Sequence, residues 1–297
     1  MTKNDIKTAR KQAQIWQVAI TSTNKKRVLA FFREKLAGTR QKAPFFVATT
    51  NPEMVMLASN DPKYARILNS ADISLPDGIG LVQAVRFWEL STPRNKLLKP
   101  VTVFLQGVTV GLATIFNRAW LTQDLAPIKG REMFLDLMKL ANKKKWKVFV
   151  FGGVDGEAEE AAEKLRGSLK SVEIKALDGP KLDEEGRAVG EEEKRIEKRA
   201  IATINAFHPD ILFLAFTPPK QEKWFAANKK NLKVGGVMGV GGTFRYVTGR
   251  SAPPPNWMGD MGLEWIWRLV TESILIGRIL TAFPLFPLKV FISKLKN

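Results

Sequence analysis

From Phe45 onward, short apolar runs alternate with stretches of helical periodicity, the pattern of a parallel sheet whose strands are joined by crossover helices. Phe45-Phe46-Val47-Ala48 reads as a buried strand and Thr49-Thr50-Asn51 as the loop after it. Asn51 reads as the N-cap of a helix with Pro52 at its first position. Ile73-Ser74-Leu75 predicts a second strand, stopped by Pro76-Asp77-Gly78, with a helix over Ile79–Trp88. Lys147–Phe151 predicts another, running into Gly152-Gly153 and an Ala/Glu-rich helix over Glu157–Leu165. Val172–Leu177, Ile211–Ala215 and Val234–Val240 bring the strand-like runs to six, with a helix over Lys223–Asn228 between the last two. The expected fold is an α/β, Rossmann-like domain with a mainly parallel sheet, in which ligands bind beyond the carboxyl ends of the strands.

Two segments break this pattern. Pro100 to Asn117 is an 18-residue stretch without a charge, flanked by Lys99 and Arg118; as a helix it would reach ~27 Å at ~1.5 Å per residue. A spanning helix there would put the two halves of one domain on opposite sides of a bilayer, so the stretch reads as interfacial, re-entrant or packed on the core. From Gly262 to Asn297, Trp265, Trp267, Ile276 and Phe283 mingle with Arg268, Arg278, Lys289, Lys294 and Lys296, a mixture suited to a membrane interface. A helix packed on its own domain or on a second subunit reads the same way, which leaves a homo-oligomer open. These breaks divide the chain into a basic N-terminal segment (1–44, a strand and helix packing on the core), a Rossmann-like domain (45–260, with an apolar insertion near 97–121) and a helical appendage (261–297) suited to membrane association.

Composition narrows the chemistry. With 297 residues, 45% of them hydrophobic and 26% charged, the chain can bury a sizeable core and is not a disordered one. The absence of cysteine removes disulfides, thiolate zinc sites and cysteine nucleophiles, and fits a reducing compartment. His208 is the only histidine; it precedes Pro209-Asp210 and reads as a loop residue, so a general base or metal ligand set must lean on carboxylates. Forty-seven Lys and Arg against 29 Asp and Glu give +18, a surface that attracts nucleotides, nucleic acid or an anionic membrane. The excess is steepest in the first fifty residues, whose only acids are Asp5 and Glu34. No secretory signal is expected, because the apolar stretch Ile15 to Ile20 is short and interrupted by Gln17.

Asp77 follows a strand directly, where a turn can hold a carboxylate at the ligand-binding edge; the same carboxylate could stabilise the turn or cap the next helix. Thr49 and Asn51 are equally suited to capping and to hydrogen bonds with a sugar. Gly152-Gly153-Val154-Asp155-Gly156 fits a phosphate cradle or a plain strand-to-helix turn. Gly239-Val240-Gly241-Gly242 lacks a complete G-x-G-x-x-G and no helix is evident after it, which weighs against a dinucleotide-dependent oxidoreductase. Lys220, Gln221 and Glu222, after Pro218-Pro219, could meet a polyhydroxylated ligand or simply start a helix. No two aspartates are separated by a single residue, so a glycosyl transfer run by this chain would be expected to need no metal.

Taken in order, Thr49-Thr50-Asn51-Pro52-Glu53, Leu75-Pro76-Asp77-Gly78-Ile79-Gly80, Phe151-Gly152-Gly153, Asp210-Ile211-Leu212, Pro219-Lys220-Gln221-Glu222, Gly239-Val240-Gly241-Gly242 and Gly262-Leu263-Glu264-Trp265 resemble the WecG/TagA/CpsF family of bacterial glycosyltransferases. The resemblance runs from Phe45 to about Arg268. It implies inverting transfer of a sugar, often of N-acetylmannosamine type, from a UDP donor to a polyprenyl-diphosphate-linked sugar in cell-surface polysaccharide or teichoic acid synthesis. The reaction would take place at the cytoplasmic face of the membrane, with no cofactor and no nucleic acid partner. It further implies Asp77 as general base, and Thr49, Asn51 and Gln221 at the substrates; the local motifs themselves add Lys220, Glu222, Gly152, Gly153 and Gly241 as candidate substrate contacts. Trp265, Arg268 and Arg278 would face the membrane or the acceptor diphosphate. Three positions depart from the family pattern: in place of an arginine shortly before the glycine matching Gly130 the chain offers Lys129 or the displaced Arg131, Arg245 replaces an aspartate, and Pro253-Pro254-Pro255 replaces Arg-Ala-Pro. The rival reading from another class is a non-catalytic basic module for nucleic acid or anionic lipid.

Overall fold

The chain begins with a hairpin, β1 (Gln12–Ile15) and β2 (Val18–Thr21), followed by α1 (Lys25–Ala37). The computed structural model describes residues 12–38, 43–272 and 276–297. The basic residues ahead of Gln12 and those at 39–42 lie outside the described residues. The six predicted strands are all present as β3 (Phe45–Thr50), β4 (Ile73–Pro76), β5 (Lys147–Gly152), β6 (Glu173–Leu177), β7 (Ile211–Ala215) and β8 (Gly236–Gly239). They form one sheet in the order β4-β3-β8-β7-β5-β6, and every pairing is parallel. All six carboxyl ends therefore point to one edge.

Helices α2 (Pro52–Asn60) and α3 (Pro62–Asn69) join β3 to β4. Between β4 and β5 come α4 (Ile79–Glu89), α5 (Leu98–Phe116), α6 (Arg118–Thr122) and α7 (Gly130–Lys144). The later crossovers are α8 (Glu157–Ser168), α9 (Gly190–Phe207) and α10 (Lys220–Asn228). After β8 the chain forms α11 (Thr243–Thr248), α12 (Asn256–Asp260), α13 (Glu264–Thr271), α14 (Ile276–Leu280), a π-helical turn over Thr281–Leu285, and α15 (Phe286–Lys296). The helix α11 corrects the expectation that none follows Gly242; six residues are too few to show a 3.6-residue period.

The strands obey the period of two. Phe46, Ala48, Phe149, Phe151, Leu212 and Leu214 enter the core on one face of the sheet, whereas Phe45, Val47, Val148, Val150, Ile211 and Phe213 enter that on the other. The backbone of β8 approaches β3 so closely that a Cβ on Gly236 would lie 2.1 Å from the Phe45 ring. The hairpin is pinned beside β4: Ser74 N donates to Thr21 Oγ1 at 3.0 Å, and Asn69 accepts from Ala19 N at 2.9 Å. His208 is the C-cap of α9, in the left-handed region at φ 52°.

The charge-free stretch is the surface helix α5. Val103, Val110, Ala113 and Thr114 are buried, while Phe104, Leu105, Leu112 and Ile115 are exposed. The C-terminal segment packs on its own domain: Phe286 and Val290 are buried in the same core as α4, and Lys294 donates to the carbonyls of Phe87 and Leu90. Its outward face still exposes Leu285, Leu288 and Ile292. Leu98–Phe116 and Ile276–Lys296 are both long and apolar enough to cross a membrane by length and composition, and both are mostly unburied.

Candidate active site

The turn after β4 sets the site. Asp77 N donates to Thr50 O at 2.8 Å, which ends the strand pairing with β3. Gly78 then takes φ +93°, a value open to glycine, so that α4 can start at Ile79. The chain entering α7 runs beside this turn: Ile128 N donates to Pro76 O at 2.9 Å and Gly130 N to Asp77 Oδ1 at 3.1 Å. A side chain at Gly130 would be tight here, since a Cβ would stand 3.0 Å from Thr49 Cγ2 and 3.2 Å from Asp77 Oδ2.

Asp77 is enclosed by protein while keeping part of its surface open, and loss of hydration is the main reason that its carboxyl is pushed up to about 6. The Gly130 N–H pulls the other way, Glu264 adds to the rise, and Arg131 and Arg268 oppose it. These charges come from α7 and α13. Arg131 donates to Glu264 Oε1 at 2.7 Å, with its guanidinium 5.3 Å from the Tyr246 ring centre. Arg268 donates to Glu272 Oε2 at 3.1 Å, and Glu272 Oε1 accepts from Ser251 at 2.5 Å and from Tyr246 at 3.3 Å. Arg268, expected to face the membrane or the acceptor diphosphate, belongs to the network around Asp77. Of the two cations offered by the sequence, Arg131 is the one acting on Asp77; the Lys129 ammonium lies 3.7 Å from Glu132.

A second group of side chains flanks the turn. Thr49 Oγ1 donates to Gly239 O at 3.0 Å, and Gly241 N donates to Gln221 Oε1 at 3.2 Å. A Cβ on Gly239 would come within 2.9 Å of Gln221 Nε2, so Gln221 lies flat against the end of β8 and ties it to α10. The Asn51 carbonyl oxygen caps α2 by accepting from Met54 N at 3.0 Å; the amide hydrogens are the part of the side chain that this cap does not use.

Other expected contacts are engaged elsewhere. Glu222 is fully buried, accepting from Gln221 Nε2 at 2.6 Å and Tyr64 Oη at 3.0 Å, and burial pushes its carboxyl up to about 7. Lys220 donates to Leu182 O at 2.9 Å and sits 3.2 Å from Glu184. Around the Gly152-Gly153 turn three N–H groups have protein partners: Gly153 N donates to Ala215 O, while Gly156 N and Ala158 N both donate to Asp178, at 2.6 and 3.1 Å. Arg245 faces Glu157 at 3.6 Å beside that same turn. Arg278 grips Glu53 with two bonds of 2.6 and 2.9 Å, and Trp265 stacks on Phe283 with ring centres 4.4 Å apart. Both were expected to face lipid or diphosphate, and both have intramolecular partners. Among the described residues, no three His, Cys, Asp or Glu gather into a metal-holding group.

The sequence reading missed Asp178, Tyr246 and Glu272. Their roles depend on pairings across the fold, although Glu272 stands four residues after Arg268 and was open to an i,i+4 reading. Glu264 lay within the Gly262-Leu263-Glu264-Trp265 motif without a role of its own.

Comparison with known proteins settles the lineage. The model of the glycosyl transferase WecG/TagA/CpsF family matches residues 13–106 and 101–297. The chain belongs to this family. It is thus a glycosyltransferase, which sets aside the non-catalytic module and the oxidoreductase. The match extends past the Phe45–Arg268 resemblance at both ends, taking in the hairpin and the C-terminal helix. The chain is 28% identical over 232 residues to the N-acetylglucosaminyldiphosphoundecaprenol N-acetyl-beta-D-mannosaminyltransferase of Bacillus subtilis (strain 168), covering 77% of this chain and 73% of that protein. It is 25% identical over 251 residues to the Staphylococcus aureus (strain NCTC 8325 / PS 47) protein of the same name, covering 84% and 81%. In this family member, the appendage supplies Glu264, Arg268 and Glu272 to the network around the carboxylate at position 77.

Proposed function

We propose that the chain transfers an N-acetylmannosamine-type sugar from a UDP donor to a polyprenyl-diphosphate-linked sugar, with inversion and without a metal, at the cytoplasmic face of the membrane. The observation that carries this reading is Asp77: a carboxylate with its pKa raised to about 6, fixed by Gly130 at the carboxyl edge of a parallel sheet. Poised near neutrality, it accepts the proton of the acceptor hydroxyl as that oxygen attacks the anomeric carbon. One C–O bond forms, the opposite C–O bond breaks, and UDP leaves with the electron pair, so a single displacement inverts the anomeric centre. Positive charge for the diphosphate groups comes from Arg131 and Arg268, each held in place by a carboxylate. The missing Asp-x-Asp pair supports metal independence. The names of the relatives support the acceptor class and the transferred sugar, and the exposed apolar faces of α5 and α15 support a membrane seat.

The test is a panel of UDP-sugars offered with a polyprenyl-diphosphate-linked N-acetylglucosamine in detergent, with EDTA present, and the product anomer read by NMR. One donor should be used with inversion. A retained anomeric configuration would contradict the single displacement, and loss of turnover in EDTA restored by magnesium or manganese would contradict metal independence.

A further inference from the structure

An apolar groove of about 300 Å³ lies between α4, α5 and α15. One end is at Gly80, in the first turn of α4 and three residues beyond Asp77; the other is at Phe87 and Phe291, whose rings stack 6.1 Å apart. From Gly80 to Phe87 the helix advances ~10 Å at ~1.5 Å per residue. Helix α5 runs antiparallel alongside: Gln83 donates to Thr114 at 2.5 Å near the Asp77 end, and Gly107 faces Phe87 and Phe291 at the far end. Gln83 is the one polar side chain among the described residues lining the groove.

Glycines keep it open. A Cβ on Gly111 would meet nothing within 4 Å, and the nearest atoms to one on Gly107 would be those of the Phe87 and Phe291 rings, at 3.8 Å. Larger side chains at these helical positions would be favoured by propensity, yet both lining positions lack one.

We propose that this groove takes the isoprenoid chain of the lipid-linked acceptor, at the part nearest its diphosphate. The inference rests on the transfer reaction proposed above and adds a site to it. The occupant follows from what stands at each end. The Gly80 end lies three residues along the chain from Asp77, on which the cations Arg131 and Arg268 act, a set of groups that suits a headgroup of diphosphate and sugar. The walls are apolar and of small-ligand size, which suits a hydrocarbon chain attached to that headgroup. The helices walling the groove also expose Leu105, Leu112, Leu288 and Ile292, a surface along which the rest of a long chain can pass into a bilayer.

The experiment uses the full chain in detergent, with Gly111→Leu and Gly107→Leu variants that fill the groove, checked for folding by circular dichroism. Two acceptors carry the same diphosphate-linked sugar, one on a long isoprenoid chain and one on a short alkyl group. The ratio of kcat/KM for the long over the short acceptor should fall about tenfold in the variants, the loss expected when roughly two buried methylenes lose their contacts. In parallel, a benzophenone-bearing prenyl diphosphate should label peptides of α4, α5 or α15 in the wild type, less so in Gly111→Leu. Undecaprenyl phosphate should compete for that labelling and phosphatidylglycerol should not. An unchanged ratio, labelling elsewhere, or equal competition by phosphatidylglycerol, which would make the groove a seat for bilayer acyl chains, overturns the proposal. Absence of transfer to both acceptors by the wild type would sink the proposed reaction instead, and the labelling would still decide the groove.

Discussion

The amide of Gly130 donates a 3.1 Å hydrogen bond to Oδ1 of Asp77, joining the start of α7 to the end of β4 across 53 residues of sequence. The contact orients the carboxylate and leaves only tight room for a side chain between it and Thr49. Gly130→Ala should therefore shift Asp77 or Thr49 slightly and lower kcat by about 10-fold, less than the ~10²-fold of an ångström-sized misplacement. Stability should change by no more than the ~1–3 kcal/mol of overpacking. Steady-state kinetics beside thermal unfolding would check this, and a variant with wild-type kcat would show that the position of Asp77 is not critical.

The raised pKa of Asp77 predicts the pH profile. A general base acts when deprotonated, so kcat/KM should rise with pH and level off above about 6. Arg131 holds this pKa down and Glu264 pushes it up. Arg131→Gln removes the cation and releases Glu264, so the rising limb should move to higher pH. A limb that moves to lower pH in that variant would contradict the electrostatic network described here.

Glu222 predicts the pH dependence of stability. Its folded pKa, raised to about 7 from 4.5, means that the folded chain holds a proton there that the unfolded chain releases. Its ionisation thus weakens the fold progressively as pH rises from about 4.5 to about 7, by on the order of 3 kcal/mol once complete. Glu222→Gln keeps the hydrogen-bonding shape toward Gln221 and Tyr64 without the titration. Unfolding measured across pH 5 to 8, a range chosen to bracket about 7, should show a shallower loss of stability in the variant. Parallel curves for both proteins would rule out this role.

Membrane attachment is best tested at the surface of the C-terminal helix. Truncation after Asp260 would remove the buried Phe286 and Val290, and with them part of the core. Leu288→Ser and Phe104→Ser instead alter exposed residues of α15 and α5. Each should weaken sedimentation with anionic liposomes, as side chains whose full burial contributes ~1.5–3 kcal/mol are lost from the contact, while the melting temperature stays nearly constant. Liposome binding equal to the wild type in the double variant would assign the attachment to another surface.

Most strands were legible because a fully buried parallel strand is a run of apolar residues; the edge strand β6 showed itself instead by alternation, with Glu173 and Lys175 exposed. The Asn51-Pro52 cap was legible because its chemistry is local. The N-terminal hairpin was not read as one: its turn places Trp16, rather than glycine or asparagine, at φ 51°. Asp77 stood out by its place after a strand, but its surroundings did not, because Arg131 and Glu264 are 133 residues apart. Arg278 looked free for lipid because its partner, Glu53, lies 225 residues away. Asp178, which accepts from Gly156 N and Ala158 N after the glycine turn, was not legible for the same reason, since it stands 22 and 20 residues further along the chain.

The proposed role of Asp77 is to accept the proton of the acceptor hydroxyl. Its most direct test is single-turnover transfer of the sugar from its UDP donor to a polyprenyl-diphosphate-linked N-acetylglucosamine, measured for the wild type and Asp77→Asn, with UDP binding and circular dichroism confirming that the variant is folded. The variant should bind UDP as the wild type does and transfer the sugar ~10² to 10⁴-fold more slowly, the usual range for a lost general base. A folded Asp77→Asn protein that transfers at the wild-type rate would contradict the account.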